Sequence, residues 1–217
     1  LNSRIIGKLG IILSCIIALF IALIASSSWH DVLKFLSNVP FGQKDPLFGQ
    51  DVSFYVFSLP VFSLGLGLIK TLILISLIGC GAIYALRGSF NLSSILGKSE
   101  GLHIKPVRNQ VSDPKARMHI GILLSLFLTT IAIGTYLSLY DLLTAQSGPV
   151  FGAAFTDANI MVPIIRISVF VYGLAAILAL FYGISGRIAP LLGAISLTVI
   201  VGFASWIIPS VFQKLIV

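Results

Sequence analysis

The sequence predicts an all-α fold, a polytopic membrane helix bundle of about five transmembrane helices plus an outer interfacial helical segment, and three observations carry that prediction. Of the 217 residues, 57% are hydrophobic and only 10% charged, with a mean hydropathy of +1.06, well outside the range of a soluble domain. Five apolar runs, about 9–28, 62–86, 118–139, 163–184 and 188–212, each reach the roughly 20 residues that cross a hydrocarbon core. The cations also alternate between connecting segments. With the N-terminus inside, Arg4, Lys8, Arg87, Lys98, Lys105, Arg108, Lys115, Arg117 and Arg187 are inner, against Lys34, Lys44 and Lys214 outer. Lys and Arg are retained on the cytoplasmic side, so loop 87–117 is expected inside, and loops 29–61 and 140–162 and the C-terminal end outside.

The first run, Leu9 to Ser28, has no small-residue cleavage site ahead of a soluble domain and reads as a true span rather than a signal peptide. A chain that begins on Leu1 and stops on Val217 in mid-pattern is expected to be part of something longer. All of it, 1–217, reads as a single transmembrane domain in contact with the lipid bilayer. Small residues recur every fourth position in several spans: Ser14, Ala18, Ala22 and Ser26 in the first; Gly121, Ser125 and Thr129 in the third; Ala175, Ala179 and Gly183 in the fourth; Ala194, Thr198 and Gly202 in the fifth. Such stripes line one helix face and allow close backbone approach in lipid. They are expected to pack the bundle internally, with a seam to a partner subunit as the alternative.

After the first span, Trp29, Val32, Leu33, Leu36 and Val39 share one helical face and predict a helix lying in the outer interface. The stretch Phe41 to Pro60, FGQKDPLFGQDVSFYVFSLP, differs from everything around it. Asp45-Pro46 and Gly49 make turns. Asp51 is placed to cap a short helix holding Phe54, Tyr55 and Phe57, with Pro60 starting the second span. Alternation of Val52, Phe54 and Val56 also permits a strand, but an isolated strand leaves its backbone unpaired in an interface. Loop 87–117 is polar and aperiodic and is expected to be flexible; its Asn91-Leu92-Ser93 sequon falls on the inner side and reads as a chance match.

Chemistry is sparse. The net charge of +7 comes from scattered cations that form no basic stripe, so no nucleic acid partner is expected. Cys15 and Cys80 lie inside apolar runs and read as small hydrophobes. His30, His103 and His119 occupy three segments without metal-ligand spacing. There is no nucleophile elbow and no phosphate-binding loop; Gly65-Leu66-Gly67 reads as helix packing. No catalytic residue, metal or cofactor is therefore expected. Lys70 and Arg166 intrude on spans near their outer ends, where snorkelling accommodates them. The topology groups them with Asp51, Asp141 and Asp157, and the expected contact is a structural pair of Asp157 with Arg166, the acid folded back over the helix end.

A wider pattern is visible in Trp29, Phe35-Leu36-Ser37-Asn38, Pro40-Phe41-Gly42, Asp45-Pro46, Phe48-Gly49, Asp51 to Phe57 and Leu59-Pro60. A second block comprises Ala116-Arg117 with His119, Tyr140-Asp141-Leu142-Leu143, Val150 to Ala153, Thr156-Asp157 and Pro163 with Arg166, and Pro209 with Gln213 ends it. Together these resemble the membrane part of uncharacterised protein family 0182, large bacterial multipass proteins. Phe155, where a Tyr is usual, and the absence of a basic residue from 129–135 depart from that pattern. The resemblance implies further helices before this segment, a large extracytoplasmic domain after it, and a bacterial inner membrane location, but no biochemical activity. The functional expectation is an anchor that docks other membrane subunits or an extracytoplasmic domain through 41–60 and 148–166. A transporter or channel for a small or lipidic solute is the alternative, and an intramembrane enzyme a distant third.

Overall fold

The computed structural model describes residues 3–86, 113–144, 146–147, 150–151 and 157–216. Six α-helices dominate: α1 (Ser3–Ser27), α2 (Trp29–Leu36), α3 (Leu59–Leu86), α4 (Pro114–Thr144), α5 (Val162–Ser185) and α6 (Ile188–Ile216). Two-residue strands β1 (Gln146–Ser147) and β2 (Val150–Phe151) pair antiparallel after α4. Five of the helical segments are long and apolar enough to cross a membrane. The expected loop 87–117 and the sequon lie outside the described residues up to 112, as do His103 and Phe155. The chain divides into two compact units, Leu1–Leu68 and Ile69–Val217.

In the first unit the stripe Ser14, Ala18, Ala22 and Ser26 is exposed, so it does not supply the internal packing expected of it. The Ser14 and Ser26 hydroxyls instead donate to Gly10 O and Leu23 O, both at 2.8 Å, a local satisfaction open to any helical serine. Helix α2 forms where the amphipathic pattern predicts one, with Asp31 in its first turn and Lys34 in its last, signs that complement the helix dipole. Their ion pair, 3.2 Å long, is exposed. The packing contact of α2 is not on the predicted apolar face, which is exposed. It comes from Phe35, whose ring meets Phe62 edge-on at 5.9 Å.

Segment 52–86 is continuous helix, so the strand alternative for 51–58 does not occur, and Pro60 does not open a new span. A π-helical turn, Phe54–Ser58, leads directly into α3, with the Leu59 N–H bonded to Phe54 O. A second π-helical turn, Asp157–Met161, leads in the same way into α5 just before Pro163. Proline lacks an N–H and its ring crowds the carbonyl four residues back. A wider turn, which bonds five residues back, accommodates both defects inside one helix.

In the second unit, α4 begins at Pro114, inside the segment expected to be loop. Asp113 caps it through the Lys115 N–H at 3.0 Å, and Pro at the first helical position is pre-organised for this role. The core is made of small residues. Ala175, Ala176 and Ala179 of α5 form a buried cluster with Leu128 of α4 and Ala194 of α6, and Ala132 and Gly183 are buried as well. Gly121 and Gly183 bring the α4 and α5 backbones into contact: a Cβ at Gly121 would lie 2.6 Å from Gly183 Cα. Close approach of this kind replaces the hydrophobic effect as the source of helix cohesion in lipid. The α5 stripe is wholly interior, whereas Thr129 on α4 and Gly202 on α6 are exposed ends of theirs.

Candidate functional site

The first unit carries a loop knitted by two carboxylates. Asp45 Oδ1 accepts the N–H groups of Leu47 (2.8 Å) and Phe48 (2.6 Å), while its Oδ2 accepts the Gln50 N–H (2.8 Å) and the Tyr55 hydroxyl (2.7 Å). Asp51 Oδ1 accepts from Phe41 N (3.1 Å) and Ser53 N (2.8 Å), and its Oδ2 from Gly42 N (2.9 Å). Backbone bonds Asp45 N to Gln50 O and Val52 N to Gln43 O, with a bridge between Lys44 and Asp51, close the loop on itself. Gly42 (φ 72°) and Gly49 (φ 69°) take its two left-handed turns, a conformation that costs other residues energy.

These contacts set the charge state of both acids. The Ser53 backbone and side chain, then the Phe41 and Gly42 N–H groups, lower the Asp51 carboxyl to about 2. Burial pushes Asp45 up, but the Phe48 N–H, the Tyr55 hydroxyl and the Gln50 and Leu47 N–H groups outweigh it and hold the acid below the ordinary carboxylate value. Tyr55 is buried, and Phe54 and Phe57 are half-buried; Phe57 stacks edge-on with Phe41 at 5.6 Å. Phe41, Leu47 and Val56 remain exposed.

The second unit holds a cavity of about 390 Å³ between α4, α5 and α6, its walls mainly apolar, with Leu142, Met161 and Ile165 among the lining residues. Its polar lining is Thr135, Ser138 and Asp141 from α4, Ser168 and Tyr172 from α5, and Ser205 from α6. Ser168 Oγ lies 3.1 Å from Ser205 Oγ and donates to Ile164 O at 2.8 Å. The sequence singled out Asp141, but not the hydroxyls around it. On α4 they are spaced by three and on α5 by four, so each set shares one helix face, while α6 contributes Ser205 alone. A groove of about 350 Å³ elsewhere between α4 and α5 is lined mainly by apolar residues, including Ile133, Val169 and Ile177.

The expected Asp157 and Arg166 contact is not made. Asp157 is itself helical, so the two residues sit on one continuous helix. At about 1.5 Å and 100° per residue they are roughly 13 Å apart along the axis and on opposite faces. Lys70 and Arg166 are exposed, and neither forms an ion pair with a described residue. Asp45 and Asp51 belong to the first unit; Lys70, Asp141, Asp157 and Arg166 belong to the second. At the other end of α4, the Tyr84 hydroxyl lies 3.0 Å from His119 Nδ1, and Arg117 Nε donates to Gly183 O at 3.3 Å across the C-terminus of α5. Among the described residues no group of three His, Cys, Asp or Glu is placed to hold a metal ion.

Long apolar helices, cohesion through small residues and an acid-knitted loop define the class: a helical protein built like a membrane domain. Residues 2–217 match the Uncharacterised protein family UPF0182, and the chain belongs to that family. It is 30% identical over 176 residues to a UPF0182 protein of Trichlorobacter lovleyi, covering 81% of this chain and 18% of the relative. It is 30% identical over 200 residues to one of Kocuria rhizophila, covering 92% and 19%. With one of Geobacter sulfurreducens it shares 34% over 159 residues, 71% of this chain and 16% of the relative. The chain thus spans about a fifth of the length of such relatives. No solved structure matches it.

Proposed function

We propose that this chain is a non-catalytic membrane anchor and scaffold, multipass in the bacterial inner membrane with its N-terminus cytoplasmic, whose outward segment 41–60 forms a docking surface. The occupant is an extracytoplasmic part of the longer polypeptide or a neighbouring membrane subunit. The observation that carries this reading is the saturation of Asp45 and Asp51 by loop donors. A carboxylate whose lone pairs are committed to fixing backbone is suited to shape rather than to proton transfer or ion capture. The rigid loop presents Phe41, Leu47 and Val56 as exposed apolar groups, and burying such anchors is how a partner gains affinity. The charge alternation of the loops supports the orientation.

The test is a photo-crosslinker at the position of Leu47 or Val56 in a full-length relative. Crosslinks that map to one defined protein surface support docking, provided that Asp45→Asn, which loosens the loop, reduces them. Adducts with lipid alone would sink the reading. A transporter or channel for a small or lipidic solute is a second reading, favoured by the cavity that Asp141 and several hydroxyls line; solute flux in proteoliposomes that Asp141→Asn abolishes would put it first.

A further inference from the structure

Asp45 and Asp51 are occupied by their own loop, but Asp141 is not. Its carboxylate accepts no hydrogen bond or ion pair from the described residues, and it faces the cavity that Thr135, Ser138, Ser168, Tyr172 and Ser205 also line. Asp141 is exposed at the end of α4, a carboxylate that no described protein group neutralises at the rim of this cavity. Five hydroxyl-bearing side chains meet this space; Ser138 and Ser168 donate within their own helix, to Thr135 O and Ile164 O, which leaves their oxygens able to accept.

We propose that this cavity binds a primary ammonium group carried by a small organic molecule. Asp141 supplies the counter-charge, and hydroxyl oxygens take the remaining N–H donors. Among the described residues no Lys or Arg lines the cavity, which disfavours a phosphate or carboxylate as the recognised group. Its volume of about 390 Å³ falls in the range of small-molecule sites and is over ten times the roughly 30 Å³ share of one water, so a bare ion leaves most of it unfilled. A quaternary ammonium has no N–H to offer the hydroxyls and favours an aromatic cage, whereas among the described residues Tyr172 is the one aromatic in the lining. The site goes beyond anchoring and stands whether or not 41–60 docks a partner.

Two sources carry this chemistry, a free amine and the headgroup of an amino-lipid. Binding is measured on the chain in detergent micelles with ethanolamine and with short-chain phosphatidylethanolamine, against tetramethylammonium and short-chain phosphatidylglycerol. Asp141→Asn and Ser205→Ala are compared with wild type, with circular dichroism melting to show that each variant folds. At least one primary ammonium probe is expected to bind, and Asp141→Asn to weaken it roughly tenfold or more, as expected for a lost charge-assisted hydrogen bond. Ser205→Ala is expected to weaken it less. Ethanolamine binding identifies a soluble amine, and binding of the lipid alone identifies the headgroup. Failure of both probes, equal binding by Asp141→Asn, or equal binding of the control compounds would overturn the assignment.

Discussion

A single methyl group tests how the second unit holds together. Gly121→Ala places a Cβ 2.6 Å from Gly183 Cα, 2.9 Å from Gly183 N and 3.2 Å from Ala179 O, all of them backbone atoms that cannot rotate away. Carbon atoms rest about 3.5–4.0 Å apart, so α4 and α5 must separate by roughly 1 Å along their main contact. Overpacking of this kind costs about 1–3 kcal/mol, and the better helix propensity of Ala returns about 0.8–1 kcal/mol. A net loss of up to about 2 kcal/mol is expected. At Gly183 the nearest atoms to an added Cβ are 3.2 Å, 3.4 Å and 3.5 Å away, so the neighbours need yield only a few tenths of an ångström and the two effects nearly cancel. At Gly202 nothing lies within 4 Å, and Ala there is expected to stabilise by up to about 1 kcal/mol. Denaturation of the three variants in mixed micelles, followed by circular dichroism, reads the order. Gly202→Ala should be the most stable, Gly183→Ala close to wild type and Gly121→Ala the least. A Gly121→Ala protein as stable as wild type would refute glycine-mediated contact of α4 with α5.

Other expectations concern the loop and the α5 terminus. Because Asp51 is lowered to about 2 from an ordinary 3.8, its support for the loop is fully present above about pH 4 and is lost as pH falls through 2. Hydrogen exchange over 41–54, corrected for intrinsic rates, should therefore stay slow at pH 5 and quicken near pH 2. Asp51→Asn should quicken it at neutral pH, while Asp31→Asn leaves it unchanged. Gly186 ends α5 at φ 70°, with its N–H bonded to Tyr182 O. A Cβ there would also collide with the Arg117 guanidinium. Gly186→Ala should cost about 1–2 kcal/mol from the left-handed backbone alone. Added Arg117→Ala should recover the steric share but not that backbone share, measured by the same denaturation.

Legibility followed the range of the interaction. The apolar runs announce the long helices because each is a local property of 20 or more residues, and the alternation of small residues in α5 foretells its buried face. Asp51 was readable as a cap for the same reason: its Ser53 partner is two residues away. Asp113-Pro114 carried an equally local signal for the start of α4, which the glycines and prolines around it obscured. The π-helical turns before Pro60 and Pro163 were not readable, since proline marks a boundary in most helices and only packing decides to carry the helix through. The contact of Phe35 with Phe62 was not readable, because the apolar face of α2 says nothing of where Phe62 stands. The Asp157 and Arg166 pair failed because it assumed a loop where the helix had already begun. The cavity was hidden most deeply, since Thr135 and Ser205 are 70 positions apart and single hydroxyls in apolar helices carry no pattern until three helices meet.

The docking claim is tested most directly at Leu47, which projects from the knitted loop. Leu47→Cys, with Cys15 and Cys80 replaced by Ala, is labelled with a membrane-impermeant maleimide in two settings, this chain alone and the equivalent full-length relative in intact inverted and right-side-out vesicles. The account predicts rapid labelling from the extracytoplasmic side in the isolated chain and at least tenfold slower labelling in the full-length protein, where a partner surface covers the loop. Equal rates in both proteins, or labelling only from the cytoplasmic side, would contradict it.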